Sequence, residues 1–447
     1  MLSDRYGNAV STKSQAALDR FNDALELVRL YRGDPIAALD AAIAEDGAFV
    51  NAWAVRAGVL AQQTDKLYAD EVERSLRAGA AAAEHANERE RGLLAAALDF
   101  HEGRYHDGVV RYARIAHEHP RDVFAVQSAH VGCFFVGRQQ DLRDGPLQAL
   151  RAFKRGEDGY GVLLGMAAFG FEECGDYTRA EAYGREAVEI DGRDGWAVHA
   201  VAHVHEMRGD VDRGIPWLRD SAGVWAPESA FAYHNWWHLA LLHLDRGEIA
   251  EVLRLYDEKV RPAPSDVMLE WVDAAALLWR LRLEGVDVAT RFAPLAESMA
   301  RAAEDGVYAF NDLHCVMAFI GAGREGDVAR TLEAMRKTAR IGDGDNAEMT
   351  RAVGLPLAEA FVAFEAGRFG ECVEKIAAVR GIAQRFGGSH AQRDILTLTA
   401  LHAAIRGGME ATAEALAAER LTHKPTSPWA ASFAAKVAAM RGTRVAA

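Results

Sequence analysis

The chain has 447 residues, half of them apolar, and a formal net charge of −14. An acidic balance of this size argues against a general nucleic-acid or anionic-membrane binder, because such proteins present a basic surface. The four cysteines are scattered and form no Cys-x-x-Cys pair, which predicts a reduced chain without structural disulfides.

The N-terminal segment, residues 1–15, is predicted to be an extended arm. Its first residues lack the apolar core of a signal peptide, and no run of about 18 uncharged apolar residues occurs anywhere in the chain. We therefore expect a cytoplasmic protein that binds neither membranes nor nucleic acid. At the other end, residues 441–447 are predicted to be frayed.

Glycines recur after alanine-rich helical runs and before a polar residue. Spacings of 34 or 38 residues separate Gly103, Gly137, Gly175, Gly209 and Gly247. A period of about 34 is typical of tetratricopeptide repeats, in which each repeat is a hairpin of helix A and helix B. We interpret each glycine as a left-handed cap that ends helix A. The prediction is an all-α chain, one right-handed α-solenoid of tetratricopeptide-like helical hairpins that forms a single domain over residues 1–447.

Two neighbouring helices in this register carry paired histidines. His199 and His203 are four residues apart, and so are His234 and His238. Residues four apart stack on one face of a helix. In the register of the repeats, His199, His203, Glu206 and His234 fall on positions of helix A that line the concave surface, and His238 falls beside it. Two further histidines of the region, His205 and His243, fall on a packing position.

These five polar residues are the candidate catalytic group, namely His199, His203, Glu206, His234 and His238. The spacing His-x-x-x-His suits metal ligands, and a glutamate can ligate a metal or act as a general base. The four histidines are therefore candidate ligands for a divalent metal such as zinc, manganese or iron. The segment is not a His-Glu-x-x-His motif, because Gly209 stands where the second histidine would be. A metal-free acid/base site is an open alternative, and so is a purely structural role.

Other residues are predicted to line the same groove. Trp237 would form an aromatic wall suited to a small or peptide-like ligand, and Glu172 occupies a concave position in the preceding repeat. Two later segments are predicted to close the site, with Ser389 as the N-cap of a helix and Arg393 as an anion contact. Their candidate ligand-binding residues are Asn311, Asp312, His390, Gln392, Arg393 and Asp394. Ordinary capping and surface charge are the alternative interpretation of these segments.

Three motifs of the chain resemble the tetratricopeptide repeat protein 38 family. They are His199-Ala-Val-Ala-His203-Val-His205-Glu206, His234-Asn-Trp-Trp-His238 and Gly388-Ser-His-Ala-Gln-Arg-Asp394, and the N-terminal Asp4-Arg-Tyr-Gly-Asn8 also matches. The resemblance covers nearly the whole chain in order. It implies an all-helical repeat fold and implies little about activity.

Two functions stay open from the sequence. The first is a concave pocket that binds a small polar molecule or a short peptide and catalyses its hydrolysis or an acid/base rearrangement, with or without a metal. The second is a non-catalytic scaffold that binds a protein segment in its groove, which is the common role of such repeats. A site enclosed by the C-terminal helices would favour the first, and an open channel the second. We take a homodimer as the working expectation for the assembly.

Overall fold

The fold is all-helical, as the sequence predicts. The computed structural model describes residues 2–445, with side chains from Leu2 to Met440. This range contains no β-strand, only the isolated bridges Ser3–Ala9 and Arg32–Ser229. None of its helices is both long and apolar enough to cross a membrane. Residues 446 and 447, the end of the segment predicted to fray, lie outside the described residues.

Helices that are neighbours in sequence pack against each other in pairs. The helices up to residue 225 are α1 (Gln15–Leu30), α2 (Pro35–Glu45), α3 (Val50–Ala61), α4 (Ala69–Ala81), α5 (Glu88–His101), α6 (Tyr105–Glu118), α7 (Val123–Phe135), α8 (Gln139–Leu150), α9 (Tyr160–Glu173), α10 (Tyr177–Ile190), α11 (Gly195–Arg208), α12 (Val211–Asp220) and α13 (Ala222–Trp225).

The remaining helices begin at residue 232. They are α14 (Ala232–Arg246), α15 (Ile249–Leu255), α16 (Met268–Leu283), α17 (Ala289–Met299), α18 (Ala309–Gly321), α19 (Glu325–Ile341), α20 (Asp345–Met349), α21 (Leu355–Glu365), α22 (Phe369–Val379), α23 (His390–Arg406), α24 (Glu410–His423) and α25 (Pro428–Val445). Short π-helical turns follow α15 and α20, at Tyr256–Val260 and Thr350–Gly354.

The glycine caps are confirmed. The five glycines of the predicted register have φ between 71° and 81°, a left-handed conformation that glycine adopts without steric strain. Each follows a helix A, and the next helix begins within two residues of it. The caps therefore fix where each hairpin turns, and with it the register that places the histidines along α11 and α14.

The chain divides into two compact units. The first comprises Met1–Val201 and Ser221–Ala232, and the second comprises Ala202–Asp220 and Tyr233–Ala447. Helix α11 contributes residues to both. The predicted single domain and the extended arm stay predictions, although residues 2–14 do precede the first helix.

Helix α16 forms the core of the second unit. Its side chains are buried on nearly every side, including Trp271 and Trp279, which are fully buried. A helix that is apolar all round is expected at the centre of a packed domain. Of the four charged residues of this helix, two are buried, Asp273 and Arg280. They belong to the site described next.

Candidate metal centre

Three imidazoles of the second unit converge between the end of α11 and the start of α14. The ring centroids of His203 and His238 are 4.4 Å apart, and those of His234 and His238 are 4.8 Å apart. One ring nitrogen from each of the three lies within 4.8 Å of the others. His203 and His238 are fully buried, and His234 is 8% exposed. His238, which the register placed beside the groove, is thus at the centre of the cluster.

Two of these rings form hydrogen bonds with buried carboxylates. The Nδ1 of His238 lies 2.6 Å from Oε2 of Glu206, and the Nδ1 of His234 lies 2.6 Å from Oδ2 of Asp273. Because a carboxylate accepts, Nδ1 donates the proton in each pair. The unprotonated nitrogen of each neutral ring is then Nε2. This carboxylate–histidine arrangement is the one that orients histidine ligands around metal ions.

The electrostatics of the cluster favour a neutral His238 ring. Burial lowers the pKa of His238 well below its usual value, and the neighbouring His203 and His234 lower it further. A neutral imidazole is the form that binds a metal. In a tetrahedral zinc site the ligand nitrogens are about 3.3 Å apart, given Zn–N distances of about 2.0–2.1 Å.

His199 belongs to the first unit. It lies one turn before His203 on the same face of α11, and its ring packs against Phe169, Trp196 and Phe231, with centroid distances of 5.1–5.2 Å. Its part in ligand binding stays a prediction. The two histidines that the register assigned to packing, His205 and His243, are both buried. Nδ1 of His243 bonds to Glu248 at the end of α14.

An aromatic ring and a buried cation border the imidazoles. Trp237 is fully buried and stacks on His234 at 5.3 Å, with 14° between the ring planes. The guanidinium of Arg280 lies 5.3 Å from the centre of the Trp237 ring. Arg280 is 1% exposed and donates to the carbonyls of Ala276 and Ala391 at 3.1 and 2.7 Å. Trp237 is therefore part of a buried wall shared by the histidines and a cation.

Helix α24 and the turn after it cover the carboxylate side of the cluster. Nζ of Lys424 lies 3.8 Å from Glu206 and 3.8 Å from Asp394, and Arg420 bonds to Asp394 at 2.6 Å. Although burial alone would raise it, the two cations hold the pKa of Asp394 well below its usual range. Lys424 is itself only 4% exposed. Within the second unit, then, C-terminal residues contact the carboxylate side of the site.

The turn after α24 can pack closely on the end of α11 because residue 209 is a glycine. A Cβ at Gly209 would lie 2.7 Å from the backbone nitrogen of Ser427, closer than real Cβ atoms approach. The hydroxyl of Thr426 donates to the carbonyl of Arg208 at 2.9 Å. The glycine that ends α11 by its left-handed conformation thus also lets the C-terminal turn pack on that helix end.

The other predicted ligand-binding residues lie on other helices. Glu172 is buried on α9 in the first unit. Asn311 and Asp312 are buried in the first turn of α18, where burial raises the pKa of Asp312 to about 7. Their part in ligand binding stays a prediction.

The segment at the start of α23 is a helix cap, as predicted for Ser389. Ser389 and Gln392 form a capping box, each side chain bonding to the backbone N–H of the other. Arg393 donates to the carbonyl of Gly388, and His390 is half-buried. The part of His390 and Arg393 in ligand binding stays a prediction.

Sequence reasoning missed four residues of the site, Asp273, Arg280, Arg420 and Lys424. A signal existed for the first two, because an acid and a base seven residues apart share one face of a mostly apolar helix. Arg420 and Lys424 gave no such signal, since charged residues on α24 are typical of a solvated surface.

No protein-family model matches this chain. The resemblance to the tetratricopeptide repeat protein 38 family stays a prediction, and the role of the site follows from its geometry.

Proposed function

We propose that this protein is a metal-dependent enzyme that hydrolyses a small polar molecule. His203, His234 and His238 would bind one divalent transition metal, for which zinc is the best match. The observation that carries the proposal is the pair of buried carboxylates behind His234 and His238. Carboxylates at hydrogen-bond distance from Nδ1 serve to aim the second nitrogen of a histidine at a metal.

Three neutral nitrogen donors suit zinc, copper, nickel or iron better than magnesium or calcium, which prefer oxygen. Three protein ligands leave one position of a tetrahedral ion open, as in catalytic zinc sites. A metal ion held there would supply a bound water of lowered pKa as the nucleophile. Glu206, predicted as a metal ligand or a general base, then becomes a positioning residue, because its carboxylate holds the His238 ring.

The burial of the cluster supports a small substrate over a peptide segment. The three histidines are at most 8% exposed, and Lys424 covers the carboxylate of Glu206. A scaffold that binds a protein segment would instead present its ligand-binding residues in an open groove. The enclosed site thus favours chemistry over the scaffold that the sequence left open.

We extend the proposal to the architecture and setting of the chain. The glycine period and the paired helices support a right-handed solenoid of tetratricopeptide-like hairpins, of the kind found in the tetratricopeptide repeat protein 38 family. A cytoplasmic location and a homodimer remain our expectations from the sequence.

The test is zinc binding to the purified full chain after removal of metal by a chelator. We expect the wild type to take up one equivalent of zinc, measured by elemental analysis and calorimetry. His203→Ala and His238→Ala should each weaken zinc binding by more than about a hundredfold, because a lost ligand costs more than the loss of its carboxylate partner.

The matched control is His243→Ala, which removes a buried histidine from the same helix, α14, outside the cluster. It should bind zinc as the wild type does. Circular dichroism and thermal melting would show that each variant is folded. The absence of zinc binding by the wild type, or equal binding by His238→Ala, would refute the metal centre and leave the metal-free acid/base alternative.

A further inference from the structure

Beside the histidine cluster, the second unit buries a guanidinium without an ion-pair partner. Arg280 is 1% exposed, yet no carboxylate oxygen of the described residues lies within 4.0 Å of it. Burial lowers the pKa of Arg280, and the carboxylates of Asp394 and Glu206 offset this only in part. A buried cation without a partner is costly, so such a group is rare unless a ligand completes it.

The three carboxylates near Arg280 are all engaged elsewhere. Asp273 holds His234, and Glu206 holds His238. Asp394 pairs with Arg420 and Lys424. Arg280 meanwhile uses its N–H groups on two backbone carbonyls. These carbonyls and the stacked Trp237 ring fix the position of the guanidinium but leave its charge unmatched.

Two further buried donors in this region have no acceptor among the described residues. They are Nε1 of Trp237 and Nε of Arg420. The Trp237 ring lies 5.3 Å from the Arg280 guanidinium and 4.9 Å from the His238 ring. Buried donors in folded proteins nearly always find an acceptor, so these two donors are available to a water or to a ligand.

The local charge balance also favours an anionic ligand. Three cations, Arg280, Arg420 and Lys424, face three carboxylates, Asp273, Glu206 and Asp394. A divalent ion on the neutral imidazoles would leave two positive charges in excess in a buried volume. An anionic ligand would offset that excess, and a guanidinium is the group best suited to bind carboxylate or phosphate oxygens.

We propose that the substrate carries an oxyanion, a carboxylate or phosphate group, that binds to the Arg280 guanidinium and the Trp237 indole N–H beside the metal centre. The inference names the substrate class of the proposed enzyme and so rests on the proposed function. In this proposal Arg280 determines which substrates bind, and the histidines of the metal centre determine the reaction.

The experiment measures anion binding by calorimetry and thermal shift on the zinc-loaded full chain. The probes are inorganic phosphate and acetate, with acetamide as the uncharged match for acetate. We expect phosphate or acetate to bind and to raise the melting temperature, and acetamide to do neither. Whichever anion binds more tightly identifies phosphate or carboxylate as the natural group.

Three variants assign the binding to Arg280. Arg280→Gln should weaken anion binding by about tenfold to a hundredfold, the value of a charge-assisted hydrogen bond, and should keep its zinc. Arg280→Lys keeps the charge and should recover part of the binding. Arg282→Gln makes the same change two residues away on α16, where the arginine pairs with Glu365 instead, and should bind like the wild type.

The outcomes separate this inference from the metal centre. If zinc binds but neither anion does, or if Arg280→Gln binds anions as the wild type does, the oxyanion site is refuted and the metal centre stands. If the wild type binds no zinc, the metal centre is refuted. In that case, Arg280-dependent binding of phosphate or acetate by the metal-free chain would support the anion site alone, and its absence would refute both.

Discussion

Helix α7 of the first unit and helix α14 of the second both bury histidines, but with different partners. Nδ1 of His130 on α7 donates to the backbone carbonyl of Leu142 at 3.1 Å, and burial lowers the pKa of His130 to about 3. His234 and His238 on α14 donate instead to carboxylates. Burial lowers the pKa of His130 on α7 and of His238 on α14 alike, so burial alone does not mark a site. What distinguishes α14 is the anionic partner of each ring and the other imidazoles close by.

Two buried carboxyl groups of the second unit, those of Asp394 and Asp312, also differ in their partners. Asp394 is paired with Arg420 and Lys424, which hold its pKa well below the usual range. Asp312 has no such cation, and burial raises its pKa to about 7. Its Oδ2 has no hydrogen-bond partner among the described residues. For these two carboxyls, the presence of a cationic partner rather than burial alone decides the charge state.

Among the variants that test these comparisons, Asp312→Asn is expected to have the largest effect on stability. The folded carboxyl holds its proton up to about pH 7, whereas in the unfolded chain it loses it near pH 3.8. Between these values the folded state binds more protons, so the stability of the wild type falls as pH rises and the penalty is complete above pH 7. Relative to the wild type, the variant should gain up to about 4 kcal/mol in unfolding free energy between pH 4 and pH 8.

Urea denaturation across this pH range measures the gain. Asp266→Asn, at an exposed position of the same unit, is the control and should follow the wild-type curve. Parallel curves for Asp312→Asn and the wild type would mean that Asp312 is ionised in the folded protein despite its burial.

His130→Ala is expected to have the next largest effect on stability. The His130 ring packs edge-on against Phe169 and Trp196, with centroids 5.9 and 5.6 Å apart, so its removal leaves a cavity. We expect a loss of about 3 kcal/mol in unfolding free energy, measured by chemical denaturation. Zinc affinity should not change. A fall in zinc affinity as large as that expected for His238→Ala would mean that the histidines of α7 and α14 do not differ in their effect on zinc binding.

The fold was predictable because its signals are local. A glycine that must adopt positive φ is visible in the sequence, and its spacing fixes the helical hairpins. The pairing of histidines four residues apart is equally local, and it led to His203, His234 and His238. The contact between α11 and α14 then followed from the period of the repeat.

The partners behind the histidines were not predictable in the same way. Asp273 lies 39 residues after His234, and Lys424 lies 218 residues after Glu206. Which charged residue reaches a buried ring depends on how distant helices pack, and no local pattern records it. For this reason the sequence predicted Glu206 only as a metal ligand or a general base, and its hydrogen bond to His238 emerged from the structure.

Glu206→Gln tests that role most directly. The substitution keeps the size of the side chain but replaces an anionic acceptor of the His238 N–H by a neutral amide. It also removes the charge that faces Lys424. We expect zinc affinity to fall by about tenfold to a hundredfold, the usual effect of losing the carboxylate partner of a metal-binding histidine. Competition with a zinc-binding dye would measure it.

Glu248→Gln is the matched control, because Glu248 bonds to Nδ1 of His243 at the other end of the same helix. Both variants remove a carboxylate from a histidine of α14, but only Glu206 supports a ring of the cluster. Zinc affinity should therefore fall in the first variant and not in the second. Equal affinities in the two variants would mean that a carboxylate partner alone does not distinguish a ligand from a packed histidine. Convergence of the rings would then be the sole criterion left for the site.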